Sequence, residues 1–388
     1  MFFLISQQSQ DNFSSFYQLG PFVISTDAGW KQHTTNTFTC VYKGYVDSGQ
    51  LTDMLNQIAV QEEPILFGNF CMIVYEHATQ QLRIQTDRLR SFPIYVKEGS
   101  QVTNLTPLPR TIWSDSLIKI NKDFFIVESK FDLIGSIDVT PVTVEEVVNQ
   151  IDLILTKKIK NFIQFNTLPI KAFLSGGVDS LLVYSYLQKF TQQFELVKCS
   201  IIEYDRFWLQ NSGDISYYWG YSQIHHWLEP CVLTSGAPGD EFMLRSPCTA
   251  DLFLKYYNIQ ITDLLKQKNW LHSLYFNRQK HLDIFRDQTV DKTWSQEQMF
   301  WHLCNIVVND WQHWHLGNTL TWTPLRDLEI FKLLLRLPPE IAISQTMNSD
   351  ISCQLIERNS SGLTRLISDQ KNSGNTMKNL SNFLLQSS

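Results

Sequence analysis

The sequence lacks the cysteine patterns that would assign it at once to a metal-binding or disulfide-rich class. Its 388 residues include seven cysteines. They form no CxxC pair and no cysteine–histidine cluster with zinc spacing, so the common zinc and dithiol motifs are excluded. Because the number is odd and the chain is long, we expect reduced, mostly buried thiols, as in a cytoplasmic protein.

Long apolar runs and excess positive charge are also missing. No stretch approaches about 18 apolar residues, so we expect no membrane span. The first ten residues, MFFLISQQSQ, have no basic region and too short an apolar run for a signal peptide. We therefore expect a cytoplasmic location. The formal net charge of -6 does not indicate a polyanion binder, so nucleic acid is not an expected partner.

What the chain does contain is the composition of a globular protein of two domains. It is 43% hydrophobic and 18% charged, and its length suits two ordinary domains. The pattern of the sequence changes near residue 140. We therefore predict one domain over 1–140 and a second over 141–388.

The first domain is predicted to be rich in β-strands. Alternating apolar residues between turn residues favour strands at 2–5, 37–46 and 65–75, and further strands follow up to about residue 140. A short helix is expected at 51–60.

The second domain is predicted to be α/β. Residues 143–165 carry apolar side chains on one helical stripe, and Thr143 with Glu146 fits a capping box. The segments 169–174 and 195–202 are typical of buried strands, with a helix between them. A strand, a glycine loop, a helix and a strand indicate a parallel sheet. Beyond about residue 250 we expect mainly helix, and a loosely held polar tail at 369–388.

The strongest chemical signal is the segment SGGVDS at 175–180, which lies between a predicted strand and a predicted helix. Glycines there let the backbone approach phosphates, and the amides of the helix N-terminus attract negative charge. Asp179 suits a Mg²⁺ ion that bridges the phosphates. No GK[ST] follows, so this is not a Walker A loop. The alternative is a glycine-rich turn without a ligand. The predicted nucleotide-binding residues here are Leu174, Ser175, Gly176, Gly177, Asp179 and Ser180.

This segment resembles the pyrophosphate loop of the N-type ATP pyrophosphatases, a group that includes asparagine synthetase, β-lactam synthetase and GMP synthetase. The resemblance implies an adenine nucleotide α-hydrolase-like domain with a parallel sheet. It also implies that ATP, bound with Mg²⁺, is split into AMP and pyrophosphate.

A second segment, SGAPGDE at 235–241, resembles the asparagine synthetase segment SGxGxDE. The resemblance implies that Ser235, Gly236 and Gly239 contact the nucleotide. It makes Asp240 the second Mg²⁺ ligand beside Asp179, with Glu241 close to the chemistry. The alternative is an acidic turn before a helix, with Asp240 as its cap.

Two later segments extend the resemblance. PLRD at 324–327 with LPPE at 337–340 resembles the family's PFLD…LP signature, which we expect to be a structural turn before the helix LEIFKLLLRL. LTRLISDQK at 363–371 resembles the segment that supplies the family's catalytic lysine. Lys371 would then stabilise negative charge as the acyl-adenylate forms and collapses. The alternative is a solvated lysine in a loose tail.

The first domain resembles class II glutamine amidotransferases in the segments LFGNF at 66–70, VYE at 74–76, TDR at 86–88 and FPIY at 92–95. The resemblance implies a sandwich of two sheets. Those enzymes use a cysteine exposed at the N-terminus, whereas position 2 here is Phe2, which has no nucleophile. β-Lactam synthetase shows the same loss. We therefore expect no glutaminase activity, and an amine that comes from free ammonia or from the substrate.

The pocket region also departs from asparagine synthetase. The spacing between Ser175 and Asp240 is shorter than in that enzyme, and an aromatic run at 207–227 stands in its place. The run could form a stacking pocket for a ring, or a helix packed on the core. The glutamate that the family carries inside SGxGxDE is Ala237 here. The role of that glutamate could be taken by one of three polar residues: Asp310, His313 or His315.

Taken together, the sequence predicts an ATP-dependent, AMP-forming amide ligase. It would adenylate a small-molecule carboxylate or an amide carbonyl and transfer it to ammonia or an amine, with a homodimer as one possible assembly. Two alternatives stay open. One is a degenerate synthetase that binds a nucleotide without catalysis, and the other is a pyrophosphatase that modifies a nucleobase.

Overall fold

The computed structural model combines a β-rich N-terminal region with a C-terminal region of mixed helices and strands. It describes the following residues, to which every structural statement below applies: 3–7, 13–27, 29–46, 68–86, 94–97, 99–103, 110–112, 116–130, 140–174, 177–198, 230–236, 239–244, 320–334 and 336–365.

The N-terminal region is built from twelve described strands in two antiparallel sheets. They are β1 Phe3–Ser6, β2 Ser15–Leu19, β3 Phe22–Thr26, β4 Lys31–Thr34, β5 Phe38–Val46, β6 Gly68–Glu76, β7 Gln81–Thr86, β8 Ile94–Lys97, β9 Gln101–Thr103, β10 Arg110–Ile112, β11 Ser116–Ile120 and β12 Ile126–Lys130. One sheet has the order β10-β8-β9-β1-β3-β2, and the other has the order β12-β11-β7-β6-β5-β4.

The two sheets share one apolar core because side chains alternate along each strand. Phe3 and Ile5 of β1 lie in the same buried cluster as Ile73 of β6 and Ile84 of β7, which belong to the other sheet. The sheets therefore pack face to face as a sandwich. The rings of Phe3 and Trp30 meet edge to face, with centroids 6.2 Å apart.

A polar cluster accompanies this core. Lys43 of β5 is buried, and its Nζ donates to Asp27 Oδ2 at 2.8 Å. The indole Nε1 of Trp30 donates to Asp27 Oδ1 at 2.7 Å. Asp27 thus accepts from both neighbours, which offsets part of the cost of taking a lysine out of water. Burial lowers the pKa of Lys43, and the nearby Asp27 carboxylate opposes that change.

The C-terminal region contains four described strands and six described helices. They are α1 Val144–Phe165, β13 Ile170–Leu174, α2 Val178–Phe190, β14 Phe194–Lys198, β15 Val232–Thr234, α3 Gly239–Phe242, β16 Leu320–Trp322, α4 Leu328–Leu334, α5 Pro339–Asn348 and α6 Asp350–Asn359.

The four strands form a parallel sheet in the order β14-β13-β15-β16. From β13 the chain passes through α2 to β14 on one side, whereas β15 and β16 lie on the other side. The strand order therefore reverses between β13 and β15. In open parallel sheets, ligands bind at the carboxyl ends of strands beside such a reversal.

A single buried cluster joins the helices to this sheet. Val147, Ile151 and Leu155 of α1 belong to it, together with residues of β13, α2, α4 and α6. Phe162 of α1 stacks on Trp322 of β16, with ring centroids 3.6 Å apart. No helix within the described ranges combines the length and apolar character needed to cross a bilayer.

Most expectations about individual elements agree with the described segments. Helix α1 begins at Val144, and the capping box is present: Thr143 N donates to Glu146 Oε2 at 2.8 Å, and Glu146 N donates to Thr143 Oγ1 at 3.2 Å. Strand β14 is described over Phe194–Lys198, and residues 199–202 of the predicted strand lie outside the described part of the chain. The helix predicted at 51–60, the region 251–319 and the tail at 369–388 lie outside the described residues. The division at residue 140 stays a prediction.

Candidate functional site

Three segments leave the parallel sheet at its carboxyl edge. Ala172 of β13 pairs with Thr234 of β15, and Thr234 pairs with Trp322 of β16. Since the strands are parallel, the segments that follow them leave the sheet on the same side. The segments predicted to bind the nucleotide, 175–180 and 235–241, follow β13 and β15 and are called the first and second loops below, although their last residues belong to α2 and α3.

The first loop leads into helix α2. Leu174 ends β13 and is buried, and Gly177 is the N-cap of α2 with an extended backbone and no capping side chain. The helix has 13 residues, so its N-terminus carries the partial positive charge expected of a helix dipole. This arrangement suits an anion at the start of α2.

Ser180 has a different environment from the one expected for a phosphate ligand. Its hydroxyl donates to the carbonyl oxygen of Gly177 at 2.8 Å, and the residue is buried. Leu181 N donates to the same carbonyl at 3.1 Å. The Ser180 hydroxyl therefore closes the first turn of α2, a local contact that the motif alone did not indicate.

The second loop lies directly against the first turn of α2. A Cβ placed on Gly236 would stand 2.7 Å from Asp179 O and closer still to Ser180 N. A Cβ placed on Gly239 would stand 2.7 Å from Asp179 Oδ1 and closer still to Asp179 Cγ. Real Cβ atoms do not approach other atoms this closely, so both positions require glycine in this arrangement. The two predicted motifs, SGGVDS at 175–180 and SGAPGDE at 235–241, are thus in contact.

Asp179 of the first motif lies at this contact, next to the segment that carries the acidic residues of the second. Asp179 Oδ1 is shielded from solvent and lies beside Gly239. Asp240 and Glu241 follow Gly239 in α3, so Asp240 lies inside the helix and not at its cap. Their side chains are outside the described residues. The part of the chain that the structure describes contains no group of three or more histidine, cysteine or acidic side chains suited to a metal.

The third loop, residues 323–327, is fixed by a buried lysine that the sequence did not single out. Lys158 of α1 donates from Nζ to Arg326 O at 3.1 Å and to Asp327 Oδ2 at 3.2 Å. Asp327 Oδ1 accepts from the amides of Glu329 at 2.9 Å and Ile330 at 3.2 Å. Asp327 therefore caps α4 while it is held by α1, which agrees with the predicted structural turn at 324–327.

The described thiols of the N-terminal region are unsuited to nucleophilic attack. Cys40 and Cys71 are buried in the sandwich. Burial raises the pKa of the Cys40 thiol far above its usual value, and the neighbouring Cys71 adds to the rise. A thiol that stays protonated is a poor nucleophile near neutral pH.

Several residues predicted from sequence lie outside the described part of the chain. They are Ser175, Gly176, Lys371, Ala237, Asp310, His313, His315 and the aromatic run at 207–227. The site that the structure does bring together consists of Leu174, Gly177, Asp179, Ser180, Ser235, Gly236 and Gly239, with the backbone of Asp240 and Glu241.

Comparison with known proteins assigns no family. No protein-family model matches the chain, and no curated protein matches it at a significant level.

Proposed function

We propose that this protein is an ATP-dependent ligase that forms AMP and pyrophosphate and joins a carboxylate, or an amide carbonyl, to ammonia or an amine. The observation that carries the proposal is the contact between the two motifs. Gly236 and Gly239 of SGAPGDE lie against Asp179 and Ser180 of SGGVDS, beside the point where the strand order reverses.

The strand order and the loop chemistry support this proposal independently of each other. The order β14-β13-β15-β16 is that of a doubly wound sheet, and both motifs follow the two strands at its reversal. The loop chemistry offers glycines, a helix N-terminus and acidic residues, which suit a polyphosphate bound with a divalent cation. We accordingly assign the domain to the ATP pyrophosphatase type and the N-terminal sandwich to the amidotransferase-like type.

The acidic residues fit Mg²⁺ because this ion is usually bound by one or two carboxylates together with phosphate oxygens. Asp179 and Asp240 would hold it, since Asp179 lies against Gly239, the residue before Asp240. Bound Mg²⁺ would offset the negative charge of the phosphates and of the departing pyrophosphate. Glu241 stands next to this pair in the chain.

The proposed reaction has two steps. The carboxylate oxygen of the substrate attacks the α-phosphorus of ATP, and the bond to pyrophosphate breaks. An amine then attacks the activated carbonyl carbon, and AMP leaves.

The remaining residues have roles that follow from these steps. Leu174, Gly177 and the start of α2 position the phosphates, and Ser180 supports the turn. Lys371 stabilises the negative charge that builds on the acyl oxygen.

The product distribution tests this function. The protein is incubated with Mg-ATP and pools of small carboxylic acids, with ammonium as the amine source, and nucleotides are separated by chromatography. We expect AMP and pyrophosphate, with turnover reduced about 100- to 1000-fold in Lys371→Ala and retained in the matched control Lys378→Ala. Glutamine in place of ammonium is expected to give no turnover, because the described Cys40 and Cys71 are buried.

Four outcomes would contradict the proposal or a part of it. ADP as the product would remove the AMP-forming mechanism. Full activity in Lys371→Ala would remove only that assignment. Tight binding of Mg-ATP without turnover on any acid would favour a nucleotide-binding protein that has lost catalysis. AMP released only with free nucleobases or RNA would favour the nucleobase-modifying alternative.

A further inference from the structure

The requirement for glycine at positions 236 and 239 comes from neighbouring atoms and not from backbone conformation. Neither residue has φ in the left-handed region, so an L-residue could adopt either backbone. What forbids a side chain is the first turn of α2, because a Cβ at either position would stand 2.7 Å or less from atoms of Asp179 or Ser180. Glycine is therefore required at both positions because the second loop packs closely against α2.

The atoms that each glycine meets are different in kind. Position 236 faces backbone atoms of Asp179 and Ser180, which cannot move without distorting the helix. The three atoms nearest to a Cβ at position 239 all belong to the side chain of Asp179: Cβ, Cγ and Oδ1. A side chain at 236 would thus separate the loop from α2, whereas a side chain at 239 would displace the Asp179 carboxylate.

We propose that Gly239 is a positioning residue for the Asp179 carboxylate, and that Gly236 seats the loop that makes this contact. The proposal rests on the proposed function, in which Asp179 binds Mg²⁺. The missing side chain at 239 lets the carboxylate lie beside the residue that precedes Asp240. The Asp179 carboxylate is then held next to the segment that carries Asp240 before any ligand binds, and the cation meets a preorganised ligand.

The first test separates metal binding from nucleotide binding. Calorimetry measures ATP affinity without Mg²⁺, in a chelating buffer, and then as a function of Mg²⁺ concentration. In Gly239→Ala we expect the Mg²⁺ concentration for half-maximal enhancement to rise about 10- to 100-fold, as for other changes that misplace metal ligands. Affinity for metal-free ATP is expected to stay within about twofold of wild type, because the start of α2 is unchanged.

Gly99→Asn is the control for this comparison, because a Cβ at Gly99 meets no atom within 4 Å and asparagine tolerates its positive φ. An equal loss of affinity with and without Mg²⁺ in Gly239→Ala would overturn the positioning role. Wild type that binds no Mg-ATP would instead overturn the proposed function.

A thermal unfolding cycle tests the contact itself without any ligand. Gly239→Ala is expected to lower Tm by about 5 °C through overpacking, and by clearly less in the Asp179→Ala background. Gly236→Ala is expected to lower Tm equally in both backgrounds, since it meets backbone atoms. An equal drop for Gly239→Ala in both backgrounds would overturn the proposal. If that variant does not fold alone, recovery of folding in the double variant supports the contact, and failure of both contradicts it.

Discussion

At the scale of single residues, burial decides which groups can take part in chemistry. Cys40 of β5 lies in a buried cluster with Phe38 and Tyr42 of the same strand and with Met72 and Val74 of β6. The same burial raises the pKa of its thiol. A group whose pKa is raised in the folded state keeps its proton when the unfolded chain has lost it, so folding is disfavoured above the pKa of the unfolded state.

We therefore expect the stability of the protein to fall above about pH 9, the ordinary pKa of a thiol, with Cys40 contributing on the order of 1 kcal/mol per pH unit. The measurement is Tm at intervals from pH 7 to pH 10. Cys40→Ala is expected to be less stable at pH 7 but to lose less stability between pH 9 and pH 10. A decline of the same steepness in both proteins would show that Cys40 titrates normally.

At the scale of elements, the connection between α1 and the loop before α4 is a buried ion pair. Lys158 is 6% exposed, and it is held by the Asp327 carboxylate and the Arg326 carbonyl oxygen. Breaking such a pair is costly because it leaves one charge buried without compensation. The pair also ties the third loop of the carboxyl edge to the long helix that precedes the sheet.

Replacement of Lys158 with Met is expected to reduce the free energy of unfolding by about 3 kcal/mol, measured by urea denaturation. Asp327→Asn, which keeps an oxygen to cap α4, should also destabilise the protein. The double variant is expected to be more stable than the sum of the two single effects predicts, because neither charge remains alone. Additive effects would mean that the two side chains do not interact energetically.

The elements also show how far the sequence could predict the structure. Helix α1 and its capping box were predicted because the signals lie within a few residues of each other. The parallel pairing of β13 and β14 followed from the strand–helix–strand pattern. Strand β4, with the sequence KQHT, is largely exposed and carries no apolar alternation, so it was not predicted.

The arrangement of the candidate site was less predictable than its residues. Asp179, Gly236 and Gly239 were selected from their motifs, but the contact between them joins positions about sixty residues apart along the chain. Lys158 gave no signal, because a lysine on a long helix usually faces solvent and its burial depends on Asp327. Long-range packing of this kind is not encoded in local pattern.

At the scale of the whole molecule, the described residues form separate buried clusters on either side of residue 140. One cluster runs from Phe3 to Phe124, and the large cluster of the C-terminal region runs from Val147 to Leu363. A core that shares no residues with another can unfold independently of it.

We expect calorimetric unfolding to show two transitions. Ile73→Ala, in the sandwich, should lower the midpoint temperature of the first-domain transition only. Leu334→Ala, in the C-terminal cluster, should lower that of the other transition only. Each substitution is expected to reduce the free energy of unfolding of its own domain by about 2–5 kcal/mol. Both residues are fully buried, so the two variants are matched. A single transition that both variants shift equally would contradict the division into 1–140 and 141–388.

The central claim is that SGGVDS and SGAPGDE together bind Mg-ATP, and calorimetric titration with Mg-ATP tests it most directly. The proteins compared are wild type, Asp179→Asn and Asp123→Asn, the last being an exposed aspartate in a turn of the N-terminal region. We predict binding by wild type and Asp123→Asn, and affinity lower by at least about tenfold, or 1.4 kcal/mol, in Asp179→Asn. Unchanged affinity in Asp179→Asn, or no binding by wild type, would contradict the account.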